Sequence, residues 1–354
     1  MLKALTHQLL ASAPLTAEQV GVAVEQLIDE HLAAELKAGF LGALAQKGET
    51  VEEIAAFARE LRARSVQPIL DAETRAQEIL DVCGTGGDRL NTFNISTTVA
   101  LIVAAAGVRV AKHGNRAITS QAGSADVLEA LGVRIDLNPE EAAQSLREHH
   151  FAFFFAPRYH PAFKHIGPAR KLCAERGQRT IFNFLGPLLN PVRPTAQLVG
   201  VPRPELCGPM AQVLQLLGAR RAMVVCGATG PKGEVPDSRA SPYLDELSTL
   251  GESTVAEFYQ DRGFALSMLN PEFLLQPVTL ADLRGGDSEA NAEIIRRILQ
   301  GADRGPRRDA VLFNAGAALF VAGQSRTIGD GWPLAAELIG SGKAMQKLEE
   351  LRLR

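Results

Sequence analysis

The chain has 354 residues, a formal net charge of -3 and 22% charged residues, so no basic surplus exists to hold a nucleic-acid duplex by its phosphates. Nucleic acid is therefore not an expected partner. A 46% hydrophobic fraction with only 5% aromatic residues predicts a globular core of Leu, Ala, Val and Ile, in about two domains at this length.

The N-terminal stretch MLKALTHQLLASAPL is interrupted by His7 and Gln8 and does not read as a secretory signal. Thr16 with Gln19 and Thr50 with Glu53 form capping boxes, each opening a segment with apolar residues at helical spacing. Gly48 ends the helix between them. The first seventy or so residues thus read as helices alone. The longest apolar run, Val99 to Val108, falls short of the roughly 18 residues needed to span a membrane, so no membrane association is expected. Cys83, Cys173, Cys207 and Cys226 show no C-x-x-C spacing, which suits a reduced, cytoplasmic protein.

From Ile79 the pattern changes. Short apolar runs at Ile79 to Cys83, Val108 to Ala111, Phe151 to Ala156, Gln197 to Val201 and Ala222 to Cys226 read as strands. Helical periodicities lie between them, at Ser124 to Leu131, Pro139 to Arg147 and Leu206 to Leu217. This alternation predicts an α/β fold with a mostly parallel sheet flanked by helices, beside a smaller all-helical domain. Pro161 to Asn190 stands apart and is expected to pack on the N-terminal helices. The C-terminal part reads as helices over Glu289 to Leu299, Asp309 to Val321 and Pro333 to Leu351.

The first strand runs into DVCGTGGDRLNTFNIS, Asp81 to Ser96. Gly84, Gly86 and Gly87 allow close backbone approach to a ligand, and consecutive N–H groups there, with the following helix start, suit an anion. The run matches neither G-x-x-x-x-G-K-[ST] nor G-x-G-x-x-G, since Arg89 stands where the last glycine of the dinucleotide fingerprint belongs. Asp88, Thr92, Asn94, Ser96 and Thr97 add more short polar side chains than helix capping requires. The second strand ends in KHGNR, Lys112 to Arg116. A glycine-rich and a cationic strand end side by side predict a highly anionic, phosphorylated ligand. Cys83 has no activating His/Asp arrangement in view and reads as a small, half-buried strand residue.

Taken in order, GTGGD with NTFNIST, KHGNR, GSADVLEALG, HPAFKHIGPAR, RTIFNFLGPLLNP, LDELS and FNAGAALFVAG resemble the anthranilate phosphoribosyltransferase family, over about residues 80 to 325. The resemblance implies a nucleoside phosphorylase/phosphoribosyltransferase-like fold. It implies a helical domain of residues 1–75, joined by about 164–193, an α/β domain of 76–354, and a homodimer paired through the helical parts. The implied reaction joins anthranilate to 5-phosphoribosyl 1-diphosphate (PRPP) and releases diphosphate, in tryptophan biosynthesis. Anthranilate's amine is a weak nucleophile and diphosphate a concentrated anion, so electrostatic and positional catalysis is expected, with no catalytic triad.

By resemblance, Gly84, Gly86, Gly87, Asp88, Thr92, Asn94, Ile95, Ser96 and Thr97 form the PRPP loop. Lys112, His113, Gly114, Asn115, Arg116, Thr119 and Ser120 belong to a second substrate loop, and Ser124 begins the next helix beside it. Lys112 is the cation for phosphate oxygens, and Lys112 and His113 are the positional catalytic candidates. Asn115 and Arg170 are the anthranilate pair, the guanidinium fork matching a carboxylate, with Gly84 leaving room for the ring. Ser96, Asp245 and Glu246 are the implied magnesium ligands, for two ions. The pattern departs from relatives at Tyr243, where glycine is usual, at the wider Arg170 to Arg179 spacing, and at Gln121, where lysine is common. Residues 227 to 243 read as a loop expected to close over the site. His149, His150, His160 and His165 read as structural. A pyrimidine nucleoside phosphorylase shares the GSADVLEAL-like helix but fits KHGNR less well, and a non-catalytic nucleic-acid binder conflicts with the net charge.

Overall fold

Thr16 and Thr50 open helices in the way their spacing predicts. Each hydroxyl accepts the N–H of the residue three positions on, and the Gln19 or Glu53 side chain takes the threonine N–H in return. The computed structural model describes residues 1–117, 121–230, 243–259, 263–271 and 276–352. Helices α1 (Leu2–Leu10), α2 (Ala17–Ile28), α3 (Ala34–Lys47) and α4 (Val51–Ala63) form the N-terminal part. Gly48 closes α3 at a φ of 85°, a left-handed value that favours glycine. Val24, Leu27, Phe40, Leu44 and Phe57 are buried in the core these helices share.

After α5 (Ala72–Ala76) the chain alternates through β1 (Ile79–Gly84), α6 (Ile95–Ala105), β2 (Arg109–Gly114), α7 (Ser124–Ala130), α8 (Pro139–His149) and β3 (Phe151–Phe155). It continues through α9 (Ala156–Tyr159), α10 (Gly167–Glu175), β4 (Ala196–Gly200), α11 (Cys207–Leu216) and β5 (Arg221–Ala228). These strands are parallel, in the spatial order β3-β2-β1-β4-β5. The sheet is extended by strands that the sequence reading did not include. β6 (Tyr243–Leu244) and β7 (Ser253–Tyr259) both pair antiparallel with β5, and β8 (Ala265–Leu269) pairs antiparallel with β7. All of β8 but its last residue is exposed, although only Ser267 in it is polar.

α6 is apolar on all sides because it is buried on all sides. Val99 to Val103 are fully enclosed, between the sheet and α13 (Pro306–Val321), which follows α12 (Ser288–Leu299). The C-terminal helix expected over Pro333 to Leu351 is instead two. α14 (Ile328–Gly340) starts at the Thr327 cap, and α15 (Lys343–Arg352) follows a break where Gly342 takes a φ of 80°. Ile166, Ala169 and Cys173 of the α10 region, with Ile181, Leu185 and Leu188, share the core of the N-terminal helices. That same core continues onto one face of β4, β5 and β7 through Val199, Val224 and Phe258. Among the described residues no helix is long and apolar enough to cross a membrane.

One side chain of α13 fixes a distant loop. Buried Asn314 accepts the Leu247 N–H at 2.9 Å and donates to the Leu247 carbonyl at 3.0 Å, clamping the segment after β6. Asn314→Leu leaves both backbone groups buried and unpaired, so it should destabilise the fold by about 1–3 kcal/mol. A thermal melt that matches the unaltered protein would contradict this.

Candidate functional site

A cleft of about 960 Å³ opens at the carboxyl ends of the parallel strands. β1 and β4 lie side by side although the chain visits β2 and β3 between them, so the cleft sits where strand order reverses. Every candidate residue of the sequence reading that is described lines it: the β1 loop, the β2 loop to Arg116, Ser124, Arg170, Asp245 and Glu246. Thr119, Ser120 and most of the 227–243 segment lie outside the described residues.

The β1 loop is bent by Gly86, at a φ of 71°, and by Arg89 and Asn91, at 59° and 54°. Asp88 turns inward, accepting the Leu90 N–H at 3.1 Å and the Asp245 N–H at 3.5 Å. Asn94 reaches across, donating to Ala122 O at 3.3 Å and accepting from Asn291 at 2.9 Å, so α12 helps to anchor the start of α6. Ser96 and Thr97 lie in the first turn of that helix, and Thr97 Oγ1 is buried with no hydrogen-bond partner among the described residues. The space beside Gly84, which the sequence reading reserves for an aromatic ring, is filled by the Asp245 carboxylate.

Charge is concentrated underneath. Lys112 is 1% exposed and donates to Val82 O at 2.7 Å and Ser96 Oγ at 3.2 Å. Burial pulls its ammonium pKa down, while Asp81 pulls it back up. Asp81 accepts from Asn190 Nδ2 at 2.9 Å, and burial raises its carboxyl to about 6. Asn190 Nδ2 also donates to Ala111 O at 2.7 Å, which ties the 181–190 segment to β1 and β2 together. The sequence reading missed both Asp81 and Asn190. Above them Asp245 accepts the Gly86 N–H at 2.6 Å. Burial, then the charges of Asp88 and Glu246, hold the Asp245 carboxyl well above the usual carboxylate range. Burial likewise lifts Glu246 to about 8 against the pull of Lys112, and the Ser96 backbone N–H lies beside it.

Three carboxyl groups in one buried place are strained as anions unless a cation joins them. Hard oxygen donors, few carboxylates and the Ser96 hydroxyl suit magnesium. Among the described residues no three His, Cys, Asp or Glu side chains close into a metal cage, so ligand oxygens and water would complete the coordination.

The other end of the cleft is aromatic. His113 and His160 pack edge to face with ring centroids 5.3 Å apart, His160 lies 5.0 Å from Phe163, and Phe163 lies 5.8 Å from Phe182. Arg170 stacks over the Phe182 ring at 5.3 Å and has no carboxylate partner among the described residues. His160, read from sequence as structural, therefore belongs to the cleft wall. Its Nε2 bonds Leu189 O at 2.9 Å, and burial lowers its pKa to about 4. Burial, with His160 beside it, lowers His113 to about 3, and its Nε2 has no hydrogen-bond partner among the described residues. Both rings are neutral at neutral pH. Arg116 is held aside, bonded to Asp126 at 2.9 Å and Glu129 at 2.8 Å, and Ser124 Oγ donates to Asn115 O at 3.4 Å.

Residues 76–345 match the glycosyl transferase family, a/b domain, and residues 3–65 match the glycosyl transferase family, helical bundle domain. An anthranilate phosphoribosyltransferase of Geobacter sp. (strain M21) is 48% identical over 331 residues, covering 89% of this chain and 87% of that protein. The chain belongs to the anthranilate phosphoribosyltransferase family. Solved structures of the family agree in fold. The enzyme from Thermus thermophilus superposes with a TM-score of 0.84 at 38% identity, over 99% of this chain and 98% of that one. The Saccharomyces cerevisiae enzyme in complex with PRPP and Mg gives 0.84 at 28% identity, over 99% and 96%. Its complex with 4-fluoroanthranilate gives 0.83 at 27% identity, over the same shares.

The depressed His160 has a consequence for stability. Its folded-state pKa lies below the ordinary value of 6.5, so the unfolded chain takes up the proton first and stability is lost as pH falls from about 6.5 to about 4. The full loss corresponds to about 3 kcal/mol at 1.36 kcal/mol per pKa unit. A His160→Asn variant should show a flatter fall of melting temperature over that window. Parallel curves for the two proteins would refute the assignment.

Proposed function

We infer that this chain transfers the phosphoribosyl group of PRPP to the amine of anthranilate, giving N-(5-phosphoribosyl)anthranilate and diphosphate, in tryptophan biosynthesis. One observation carries the reading beyond family membership: the two ends of one cleft suit the two substrates. A bent glycine loop, a buried lysine and a carboxylate pair face one end. A guanidinium without a carboxylate partner among the described residues, set among aromatic rings, faces the other.

In this reading the Gly86–Gly87 backbone, Asp88 and the α6 start (Thr92, Asn94, Ile95, Ser96 and Thr97) receive the phosphates of PRPP, with Lys112 as the cation. Asp245, Glu246 and the Ser96 hydroxyl would hold magnesium, which would supply positive charge against the diphosphate, and two such ions are proposed. Arg170 and Asn115 orient anthranilate by its carboxylate. The neutral His113 and His160 rings wall the aromatic substrate without competing with Arg170 for its charge. The amine lone pair then attacks the anomeric carbon as that carbon's bond to diphosphate oxygen breaks, one N–H proton passes to the departing diphosphate or to water, and alignment with leaving-group stabilisation supplies the rate.

A helical domain of residues 1–75 with about 164–193, and an α/β domain of 76–354, is proposed as the working division. A cytoplasmic homodimer joined through the helical part is also proposed. Leu10 and Ile69, 57% and 74% exposed, support a covered surface on that part.

Purified protein with magnesium and PRPP is expected to consume anthranilate, followed as loss of its fluorescence; persistent fluorescence with folded protein refutes the reading. Arg170→Ala loses a charge-assisted contact of about 1.5–3 kcal/mol, so anthranilate KM should rise about 10–100-fold while PRPP KM changes little. An unchanged anthranilate KM would remove Arg170 from the aromatic site.

A further inference from the structure

The acid-bearing segment reaches the β1 loop only because side chains are missing beneath it. A Cβ built on Gly200, the last residue of β4, would stand 1.5 Å from the carbonyl oxygen of Asp245. On Gly227, in β5, it would stand 2.4 Å from Ser248 Cβ and 2.6 Å from the carbonyl oxygen of Glu246, and on Gly84, at the end of β1, 2.6 Å from Asp245 Oδ2. None of these glycines takes a positive φ, so each is required for space and not for backbone freedom. The contacts differ in kind. At Gly200 the obstacle is main chain, and at Gly227 it is the Ser248 Cβ together with main chain, so both can move only if the whole segment lifts. At Gly84 it is the end of one carboxylate, which can rotate away.

The segment seated there is held from every side. Asp245 accepts the Gly86 N–H at 2.6 Å, Asp88 takes the Asp245 N–H, Asn314 clamps Leu247, and Ser248 Oγ donates to Ala228 O. Tyr243 precedes it within β6, paired with Ala228. The room comes from the strand ends below, so a bulky residue at position 243 leaves the acids in place.

We propose that Gly200 is a positioning residue for the Asp245–Glu246 pair, the missing side chain at the end of β4 setting how closely both acids approach the diphosphate loop. Gly84 sets the Asp245 carboxylate alone. The proposal rests on the reading of these acids as ligands of a metal–diphosphate complex.

The experiment compares Gly200→Ala, Gly84→Ala and, as a control, Gly39→Ala, whose Cβ on α3 would meet open space. Manganese binding in the presence of inorganic diphosphate is measured by electron paramagnetic resonance of the free ion, and steady-state kinetics run beside it. Gly200→Ala should weaken manganese binding about 10–100-fold, in the range seen when supports of metal ligands are altered. Gly84→Ala should weaken it less, and Gly39→Ala should match the unaltered protein. Anthranilate KM should stay within about twofold in Gly200→Ala and Gly39→Ala, a split between metal and acceptor that general loosening of the fold would not give. Gly200→Ala that melts cooperatively and binds manganese normally overturns the proposal. Should that variant not fold, unchanged manganese binding by Gly84→Ala overturns it instead. If the unaltered protein leaves anthranilate untouched while manganese binding falls in this graded way, the functional reading fails and the glycine assignment stands.

Discussion

Lys112 and Asp81 are ionisable groups on neighbouring strands, almost wholly shut off from water, and most of the cleft is arranged around that fact. Removing either charge from solvent costs several kcal/mol, recovered only through close opposite charge and complete hydrogen bonding. The bonds that satisfy them join separate parts of the chain. Lys112 links β2 to β1 and to α6, through Val82 O and Ser96 Oγ. Asp81 draws in Asn190, which in turn bonds Ala111 O and the Val192 N–H. The 181–190 segment, carrying Phe182 and Leu189 to the aromatic end, is thus fixed by the same buried charges that underlie the glycine loop.

The two ends of the cleft use opposite electrostatic strategies. At the loop end negative charge is in excess: Asp88, Asp245 and Glu246 crowd one another, only Glu246 feels the pull of Lys112, and burial pushes two of the three toward neutrality. Such a place suits a metal ion that would in turn hold phosphate oxygens. At the aromatic end charge is scarce. The histidines are kept neutral by burial, and Arg170 offers a cation among the rings. An acceptor with a carboxylate and a flat apolar ring fits that end, and a polyphosphate does not.

What could be read from sequence was local. Capping boxes, apolar runs between helical periods and the glycine and KHGNR clusters carry their meaning within a few residues, and the parallel strands and helices follow. Elements without such local marks were not readable. β7 and β8 are antiparallel additions at a sheet edge, and β8 is exposed along most of its length. The division at Gly342 required a positive φ that composition alone does not announce. In the cleft, His160 gains its place from His113 and Leu189, Asp81 from Asn190, and Gly200 from Asp245, all distant in the chain. Arg116 shows the converse, a cation in the right loop whose partners, Asp126 and Glu129, hold it to α7.

The bond between Gly86 and Asp245 joins positions 159 residues apart, and the clamp of Asn314 on Leu247 adds another 67. During translation at about 5–20 residues per second, the glycine loop leaves the ribosome many seconds before its acidic counterpart exists. Through that interval the nascent polypeptide carries a half-built anion pocket, its Gly86 amide without the carboxylate that later accepts from it. A chain stopped between Glu246 and α13 therefore carries both carboxylates without the helix that anchors them.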